Sequence, residues 1–227
     1  MPSLVAYRDG LRAGIGFAFP AALVGLSFGV IAEPVMGSVA PIVMSAVVFA
    51  GAAQFGVTAV LAAGGDAVTA IATGMMLNAR FLPMGIAAAP ALKGGPLRRA
   101  LEGQAVVDAS WALAARSEKG FDRELLLGAT LPQYPAWVAG TAIGVLGGGA
   151  LGDPEALGLD AIFPAFFLGL LAAELSRPHA PLAAVLGGAI AIALTPVLPP
   201  GLPVLIASAA AFVGLLGATG ARAEAEP

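Results

Sequence analysis

The chain has 227 residues, of which 59% are hydrophobic and 11% are charged, with a net charge of −3 at neutral pH. A soluble domain is nearer a quarter charged because it presents a wetted surface, so this composition excludes a soluble globule and predicts a protein in a bilayer. The chain has no cysteine and one histidine, His179, which excludes disulfides, thiolate metal sites and multi-histidine metal sites.

Apolar segments long enough to cross a bilayer recur along the chain, since a spanning helix needs about 20 mostly apolar residues. They predict an all-α polytopic membrane protein of about seven transmembrane helices, folded as a single membrane domain. The predicted spans, in chain order, are 13–32, 40–63, 67–90, 127–150, 158–175, 181–198 and 203–220.

Two stretches of the chain resemble each other at an offset of 115 residues. PAALVGLSFGV (20–30) aligns without gaps with PAWVAGTAIGV (135–145), and SAVVFAGAAQ (45–54) aligns with DAIFPAFFLG (160–169). This similarity predicts an internal repeat. The alternative is a chance similarity between two segments rich in Gly and Ala.

The predicted repeats are three-helix units, 13–90 and 127–198, followed by one further helix at 203–220. Three predicted spans separate the starts of the two copies, and an odd number inverts the second copy relative to the first. Inverted repeats are a common plan in secondary transporters, whose solute site lies at the repeat interface near the middle of the membrane.

The second span carries Gln54 inside FAGAAQF (49–55). An amide in hydrocarbon needs hydrogen-bond partners or costs several kcal/mol. We expect either that Gln54 faces a solute or that it forms a structural clamp with Asn78. Around it, Phe49 and Phe55 are candidates for the apolar lining of a solute site, and the segment from Gly51 is a candidate for a helix break.

The third span holds Asn78 and Arg80 in MMLNARFLPMG (75–85). A charge inside a span usually faces the bundle interior or a wet cavity, which makes Arg80 a functional candidate. Its planar fork suits bidentate contact with a carboxylate. That carboxylate can belong to a solute or to the protein, and the alternative is an arginine that reaches the membrane interface.

The protein carboxylates that could pair with Arg80 are Asp108, Asp160 and Glu174. Asp108 is a candidate for proton coupling or part of the wetted face of an interfacial helix. Asp160, at the start of the fifth span, is a candidate for proton coupling or a helix cap. For Glu174 a surface pair with Arg177 is the favoured interpretation.

The linker 91–126 contains six of the eleven Lys and Arg residues, which places it in the cytoplasm by the positive-inside rule. With seven spans the amino terminus then lies outside, and Arg8 and Arg12 contradict the rule. In the alternative, 100–116 crosses the membrane as an eighth helix. This places Arg8 and Arg12 on the cytoplasmic side, but it places Lys93, Arg98 and Arg99 of the linker on the outer side.

The fifth span contains Pro164, which aligns with Phe49 of the first copy. A proline inside a helix removes a backbone hydrogen bond and frees a carbonyl, and broken helices at matching places in two halves indicate a transporter site. Phe166, two residues further on, is a candidate for the apolar lining.

Catalysis is not predicted, because the chain shows no Ser-His-acid arrangement, no metal-ligand spacing and no Walker loop for ATP. We therefore expect no enzyme activity, no metal, no cofactor and no nucleic-acid partner.

The chain resembles the AzlC family, the larger subunit of a two-component branched-chain amino acid exporter. VFAGAAQF (48–55) is similar to the most specific signature of the family, MLNARFLPMG (76–85) to its N-x-R-H stretch, and VDASWAL (107–113) to its T-D-E-x-x-A-L stretch. Phe81 stands where the family usually has His and Ala109 where it usually has Glu, so neither place carries a titratable side chain.

The resemblance implies export of hydrophobic amino acids across the inner (plasma) membrane by a multi-pass protein. It also implies a small, separately encoded membrane subunit of the AzlD type. Proton-motive force is the expected energy source. The alternatives are a secondary carrier of an organic acid or inorganic anion, and a membrane scaffold that transports nothing.

Such a substrate predicts a division of labour among the candidate residues. Arg80 is expected to meet the carboxylate, while the side-chain carbonyls of Gln54 and Asn78 accept from the ammonium together with backbone carbonyls freed near Pro164. The aromatic rings of Phe49, Phe55 and Phe166 are expected to surround the apolar side chain.

Overall fold

The structure is a computed structural model that describes residues 2–115, 121–151, 156–176, 179–198, 202–207 and 209–210. Across these ranges the regular secondary structure is helical, without a strand, which confirms the all-α class. The helices are α1 (Pro2–Met36), α2 (Ala40–Val47), α3 (Gly51–Ala62), α4 (Ala67–Asn78), α5 (Phe81–Ala88), α6 (Pro96–Gly103), α7 (Asp108–Ala114), α8 (Arg123–Leu151), α9 (Leu159–Glu174), α10 (Ala180–Leu194) and α11 (Leu202–Ala207).

The seven predicted spans are not confirmed as seven long helices. In the described part of the chain, one segment, Leu4–Met36, is long and apolar enough to cross a membrane by itself, while α3, α4 and α10 are apolar but shorter. The predicted spans 40–63 and 67–90 are each divided into two helices. Of the predicted last helix, most lies outside the described residues.

The long helices α1 and α8 pack side by side through glycines. A Cβ added at Gly14 would lie inside the van der Waals shell of the Ala129 carbonyl oxygen, and one at Gly29 would meet the carbonyl oxygen of Thr141 in the same way. The backbones can approach this closely because the glycines have no side chain, as is usual where helices associate in lipid.

The α1–α8 contact is parallel, because contacts advance in the same direction along both helices. Gly25 of α1 faces the Trp137 carbonyl, and Gly140 of α8 faces the carbonyl of Ala22. The offset of 115 residues relates Gly25 to Gly140 and Ala22 to Trp137, so the second contact repeats the first with the two helices exchanged. The glycine seam therefore has a pseudo-two-fold axis along the helices. The predicted inversion of the second copy is wrong for this helix pair.

The reason for the error is that 40–63 turns back instead of crossing. Phe49 has a φ of 44°, a left-handed conformation that is uncommon for a residue with a bulky side chain and that reverses the chain between α2 and α3. In α2, Ser45 contacts Thr141 of α8, and Phe49 below it contacts Tyr134, at a ring distance of 5.2 Å. The chain in α2 therefore runs antiparallel to α8.

After the reversal, α3 runs parallel to α1. Gly51 at its start lies near Val24, and Phe55 one turn later packs edge-on against Phe28 with ring centres 5.5 Å apart. The helices α2 and α3 thus form a first hairpin, whose tip is 48–50. Only α4 and α5 then pass from one end of the bundle to the other before α8 begins, which makes α1 and α8 parallel.

The passage formed by α4 and α5 is interrupted at Ala79 and Arg80. There the backbone changes to bonds between residues three apart: the Ala79 N–H donates to the Met76 carbonyl and the Leu82 N–H to the Ala79 carbonyl, both at 3.1 Å. Such a short tightened stretch inside a helix often marks a functional site. It places Arg80 at the interruption.

The segment between this passage and α8 folds into a second hairpin, formed by α6 and α7. Glu102 in α6 pairs with Arg123 at the start of α8, and the Ala114 carbonyl at the end of α7 accepts from the Asp122 N–H. Between them the tip, 104–107, extends along α8 toward its middle. The two hairpins therefore enter the bundle from opposite ends.

The helix α9 runs through Pro164 without interruption, from Leu159 to Glu174. The predicted break at Pro164 is therefore wrong, and the break of the first copy at Phe49 has no counterpart at the aligned residue. Pro164 is exposed on α9. A proline leaves the carbonyl one turn before it without its usual N–H donor. In a membrane helix, a local adjustment of the backbone can satisfy this carbonyl.

Apart from Arg80, the Lys and Arg residues described by the structure collect at one end of the molecule, which we call the basic end. Gly10 in α1 contacts Leu125 at the start of α8, so Arg8 and Arg12 lie at the same end as Arg123. The predicted external location of Arg8 and Arg12 followed from counting 40–63 as a full passage. With that segment turned back, the conflict with the positive-inside rule disappears.

Replacing Gly14 by Ala tests the glycine seam. The added methyl group meets the α8 backbone, which cannot move aside as a flexible side chain would, so we expect a loss of about 1–3 kcal/mol of stability. The measurement is the midpoint of thermal unfolding of the purified protein in detergent, followed by tryptophan fluorescence.

The matched control is Gly16→Ala in the same helix, where no atom lies within 4 Å of the new Cβ. Alanine favours a helix over glycine by about 1 kcal/mol, so this variant should be neutral or stabilised. Equal destabilisation by both variants would contradict the close α1–α8 contact.

Candidate functional site

The tips of the two hairpins meet beside the middle of α8. The ring of Phe49 lies 6.0 Å from that of Trp137, and Val107 from the second tip packs against the same cluster. The helix α3 begins at this meeting point with Gly51, and the first N–H groups of a helix have no partner within it. These N–H groups bring the positive end of the α3 dipole to the centre of the molecule.

An ion pair joins the interrupted helix to the second hairpin. The Arg80 Nη2 donates to Asp108 Oδ2 at 2.9 Å and its Nε to Oδ1 at 3.2 Å, so the contact is bidentate. Nη1 donates to the Leu77 carbonyl at 2.8 Å. Asp108 was one of the three predicted protein partners of Arg80, and the structure shows this contact. The contact occupies the side of the guanidinium that was expected to bind the carboxylate of a solute.

The pair is enclosed but not sealed. The side chains of Arg80 and Asp108 are 21% and 27% exposed, and the guanidinium carbon of Arg80 lies 4.7 Å from the ring centre of Phe81. A cation over an aromatic face is attracted by the ring quadrupole. Phe81 thus contacts the charged group at the centre of the site.

A small inner cavity of about 50 Å³ lies between the hairpin tips and the α1–α8 pair. Its apolar wall includes Val24, Phe49 and Trp137, and its polar side chains are Asp108 and Gln133. The start of α3 at Gly51 borders the same space. The cavity therefore combines backbone donors, a carboxylate and an apolar wall.

Gln133 is a polar residue of the inner-cavity lining. Its Nε2 donates to Ser110 Oγ at 3.0 Å and to the Ala129 carbonyl at 2.7 Å, which uses both amide protons. The remaining polar atom of the side chain is Oε1. An oxygen of this kind suits a solute that donates hydrogen bonds.

A larger outer cavity of about 220 Å³ lies on the other side of the tips, toward the basic end. Its polar side chains are Asn78 and Gln104, and it reaches the exposed Ala100 on α6. The Asn78 Oδ1 atom is buried and has no hydrogen-bond partner among the described residues. Phe49, Ala50, Phe81 and Val107 line both cavities.

Gln54 lies outside the lining of both cavities and is fully buried within the first hairpin. Its Nε2 donates to Ser45 Oγ at 2.8 Å, which joins α3 to α2. The geometry thus favours the clamp interpretation, with Ser45 in place of the expected Asn78. The Gln54 Oε1 has no hydrogen-bond partner within the described structure.

Ser45 is the centre of a buried network that fixes the first hairpin on α8. The Thr141 hydroxyl donates to the Trp137 carbonyl at 3.0 Å, so the Ser45 hydroxyl donates to Thr141 at 2.8 Å. Ser45 Oγ then accepts from Gln54 and from Trp137 Nε1, the latter at 3.2 Å. The one donor and the two acceptor lone pairs of the Ser45 hydroxyl are all used in this arrangement.

The second hairpin is fixed to α8 by charge at the basic end, outside the membrane-spanning helices. Glu102 accepts from Arg123 Nε at 2.7 Å, from Arg98 Nε at 3.0 Å and from the Lys93 backbone N–H at 3.2 Å. The bond from Arg123 is the main reason why the pKa of Glu102 is lowered to about 2. This carboxylate therefore stays ionised at neutral and mildly acidic pH.

Several predicted site residues lie away from the cavities or cannot be placed. Phe55 packs against Phe28, and Pro164 is exposed on α9. The side chains of Asp160 and Phe166 are outside the described part of the structure. Their suggested roles in proton coupling and in the apolar lining stay predictions.

The sequence interpretation missed the polar face of α8. Gln133, Trp137 and Thr141 are spaced by four residues, so they lie on one helix face, and together they contact both hairpins. This spacing of polar groups inside an apolar span was the signal that could have identified them. Ser45 had no comparable signal, because single serines are common where helices pack.

Interrupted helices whose ends converge on charged and polar groups inside an apolar bundle define a transporter-type membrane protein. Comparison with known proteins agrees with this class. The family described as AzlC protein matches residues 17–151, which is more than half of the chain. The chain belongs to the AzlC family, as its signature stretches predicted.

Two relatives in this comparison are named as membrane proteins. An "Uncharacterized membrane protein" of Archaeoglobus fulgidus is 33% identical over 190 residues, which cover 80% of this chain and 83% of the relative. "Inner membrane protein YgaZ" of Escherichia coli is 26% identical over 192 residues, which cover 78% of this chain and 76% of the relative. No solved structure matches the chain.

Replacing Ser45 by Ala tests the network that fixes the first hairpin. The change leaves the donors of Gln54 and Trp137 buried without an acceptor, so we expect a loss on the order of 2–3 kcal/mol of stability. The measurement is the thermal unfolding midpoint in detergent. The control is Thr195→Ala, which removes an exposed hydroxyl that donates to the Ala191 carbonyl one turn earlier. If Ser45→Ala lowered the stability no more than this control does, the role of Ser45 would be contradicted.

Proposed function

We propose that the protein exports branched-chain and other hydrophobic amino acids across the inner membrane. We further propose that it works with a small AzlD-type membrane subunit and is driven by the proton-motive force. The inner cavity carries this proposal, because it offers separate partners for the three parts of such a solute. Membership of the AzlC family supports the same substrate class.

The solute carboxylate is best matched by the start of α3. The free N–H groups that begin with Gly51 and the positive end of the helix dipole both favour an anion. This role replaces the one predicted for Arg80, whose fork is paired with Asp108. Arg80 then serves to orient Asp108 through its two hydrogen bonds.

The solute ammonium is best matched by acceptors on the opposite side of the cavity. Asp108 supplies a negative charge and Gln133 supplies Oε1, while Val24, Phe49 and Trp137 supply an apolar wall for the side chain. An organic acid or inorganic anion has no group to pair with Asp108. This asymmetry favours a zwitterionic amino acid over those alternatives.

Proton coupling is best explained through Asp108. Protonation of this carboxylate would remove the charge that holds Arg80, and the interrupted helix could then change its relation to the second hairpin. Asp160 remains the second candidate. By the positive-inside rule the basic end faces the cytoplasm, so that the outer cavity lies on the side from which an exporter takes up its solute.

Efflux of labelled isoleucine tests the function directly. Cells loaded with the amino acid and expressing both this chain and its small partner should lose label faster than cells expressing either one alone. Efflux that depends on both proteins supports the two-subunit exporter. A stable complex without efflux would support a scaffold or a carrier of another solute, and competition by organic acids would identify the latter.

Asp108→Asn should reduce isoleucine efflux by roughly tenfold or more, since a partly buried charge pair that loses one partner leaves the other charge uncompensated. The residual efflux should no longer respond to an imposed pH gradient. The control is Asp66→Asn, since Asp66 caps α4 at the end opposite the basic end and Asn is an equally good cap. A normal response to the gradient in Asp108→Asn would exclude Asp108 as the coupling residue.

A further inference from the structure

The two cavities are separated by a thin wall. Of the residues that line them, Phe49, Ala50, Phe81 and Val107 border both. A solute that moves from one cavity to the other must therefore displace part of this wall.

Phe81 is the part of the wall best suited to move. Phe49 is held at the left-handed turn of the first tip and packs edge-on against Tyr134 and Trp137. Ala50 has too short a side chain to close a passage. Phe81 instead lies at the start of α5, beside the interruption of the helix, and is only half-buried.

The ion pair at the centre of the site is in a position to hold Phe81 closed. The Arg80 guanidinium lies against the Phe81 ring, and the same guanidinium is oriented by its bidentate contact with Asp108. Loss of the Asp108 charge would weaken the two bonds that orient the guanidinium against the ring, and so loosen a restraint on Phe81. The state of the ion pair and the state of the wall are thus physically linked.

The outer cavity has the chemistry of a binding site and not only of a passage. Most of its lining is apolar, including Val48, Leu92 and Val106. The side-chain carbonyl oxygen of Asn78 is buried beside it without a hydrogen-bond partner in the described part of the chain. A buried acceptor of this kind costs free energy until a donor reaches it. An amino acid with an apolar side chain offers such a donor in its ammonium group.

We propose that the outer cavity is a second solute site that takes hydrophobic amino acids from the basic side, and that Phe81 is the gate between this site and the inner cavity. The solute ammonium contacts Asn78 Oδ1, and the apolar lining contacts its side chain. The Arg80–Asp108 pair holds the gate closed. The identity of the ligand rests on the proposed function, whereas the gate rests on the geometry alone.

The absence of cysteine from the chain makes this proposal directly testable by thiol labelling. Val24→Cys reports the inner cavity and Ala100→Cys the outer one. A membrane-impermeant cationic methanethiosulfonate is applied from the basic side of membrane vesicles. We expect Ala100→Cys to react readily and Val24→Cys to react at least about tenfold more slowly, because in the proposal Phe81 closes the inner cavity from this side.

The gate is then opened by Phe81→Ala. This change should raise the labelling rate of Val24→Cys by roughly tenfold and leave that of Ala100→Cys unchanged. The matched control is Phe19→Ala, which removes an exposed ring of α1 that borders neither cavity. An unchanged Val24→Cys rate in the Phe81→Ala background overturns the gate. If that variant does not accumulate, Phe81→Leu provides the same comparison with a smaller change of volume.

Binding to the outer cavity is tested by protection. Isoleucine should slow the labelling of Ala100→Cys, and Asn78→Ala should abolish this protection while leaving the labelling rate without solute unchanged. Protection by succinate instead of isoleucine would overturn the ligand class, and with it the proposed function, but not the gate. Protection by isoleucine that survives Asn78→Ala would overturn the role of Asn78.

Discussion

The close contact between α1 and α8 is the constraint on which the rest of the structure depends. Their glycines bring the two backbones together over most of the length of both helices, and this leaves α8 with one face free for the hairpins. On that face, Thr141 holds the first hairpin through Ser45, and Gln133 holds the second through Ser110. The two tips meet because both are anchored to the same rigid helix.

The hairpins also explain how irregular backbone is tolerated inside an apolar bundle. Non-helical backbone at membrane depth is stable only where it is buried in protein or lines a cavity, since lipid offers no hydrogen bonds. The tips at 48–50 and 104–107 meet this condition because they lie against each other and border the cavities. The start of α3 and the Arg80–Asp108 pair lie at the place where the two tips meet.

Sequence reasoning identified the composition of this centre better than its geometry. Asn78 and Arg80 were candidates because polar groups inside apolar segments are costly. Asp108, in the linker, was a candidate for proton coupling or part of a wetted helix face. The pairing of Arg80 with Asp108 was among the alternatives considered. The path of 40–63 was wrong, because a segment of this length and hydropathy serves equally well as one membrane passage or as two shorter legs that turn back at Phe49. That error produced both the predicted inversion of the repeats and the apparent conflict at Arg8 and Arg12.

By itself, the sequence determined the helical class, the membrane environment, the family and the polar residues from which a site can be built. These follow from composition, hydropathy and short motifs, which are local properties of the chain. Only the tertiary structure decided that Gln54 bonds to Ser45, that Arg80 bonds to Asp108, and that Phe81 stands between two cavities. Such contacts depend on the direction in which each helix runs. The hydropathy of a segment is the same for either direction, so it cannot predict them.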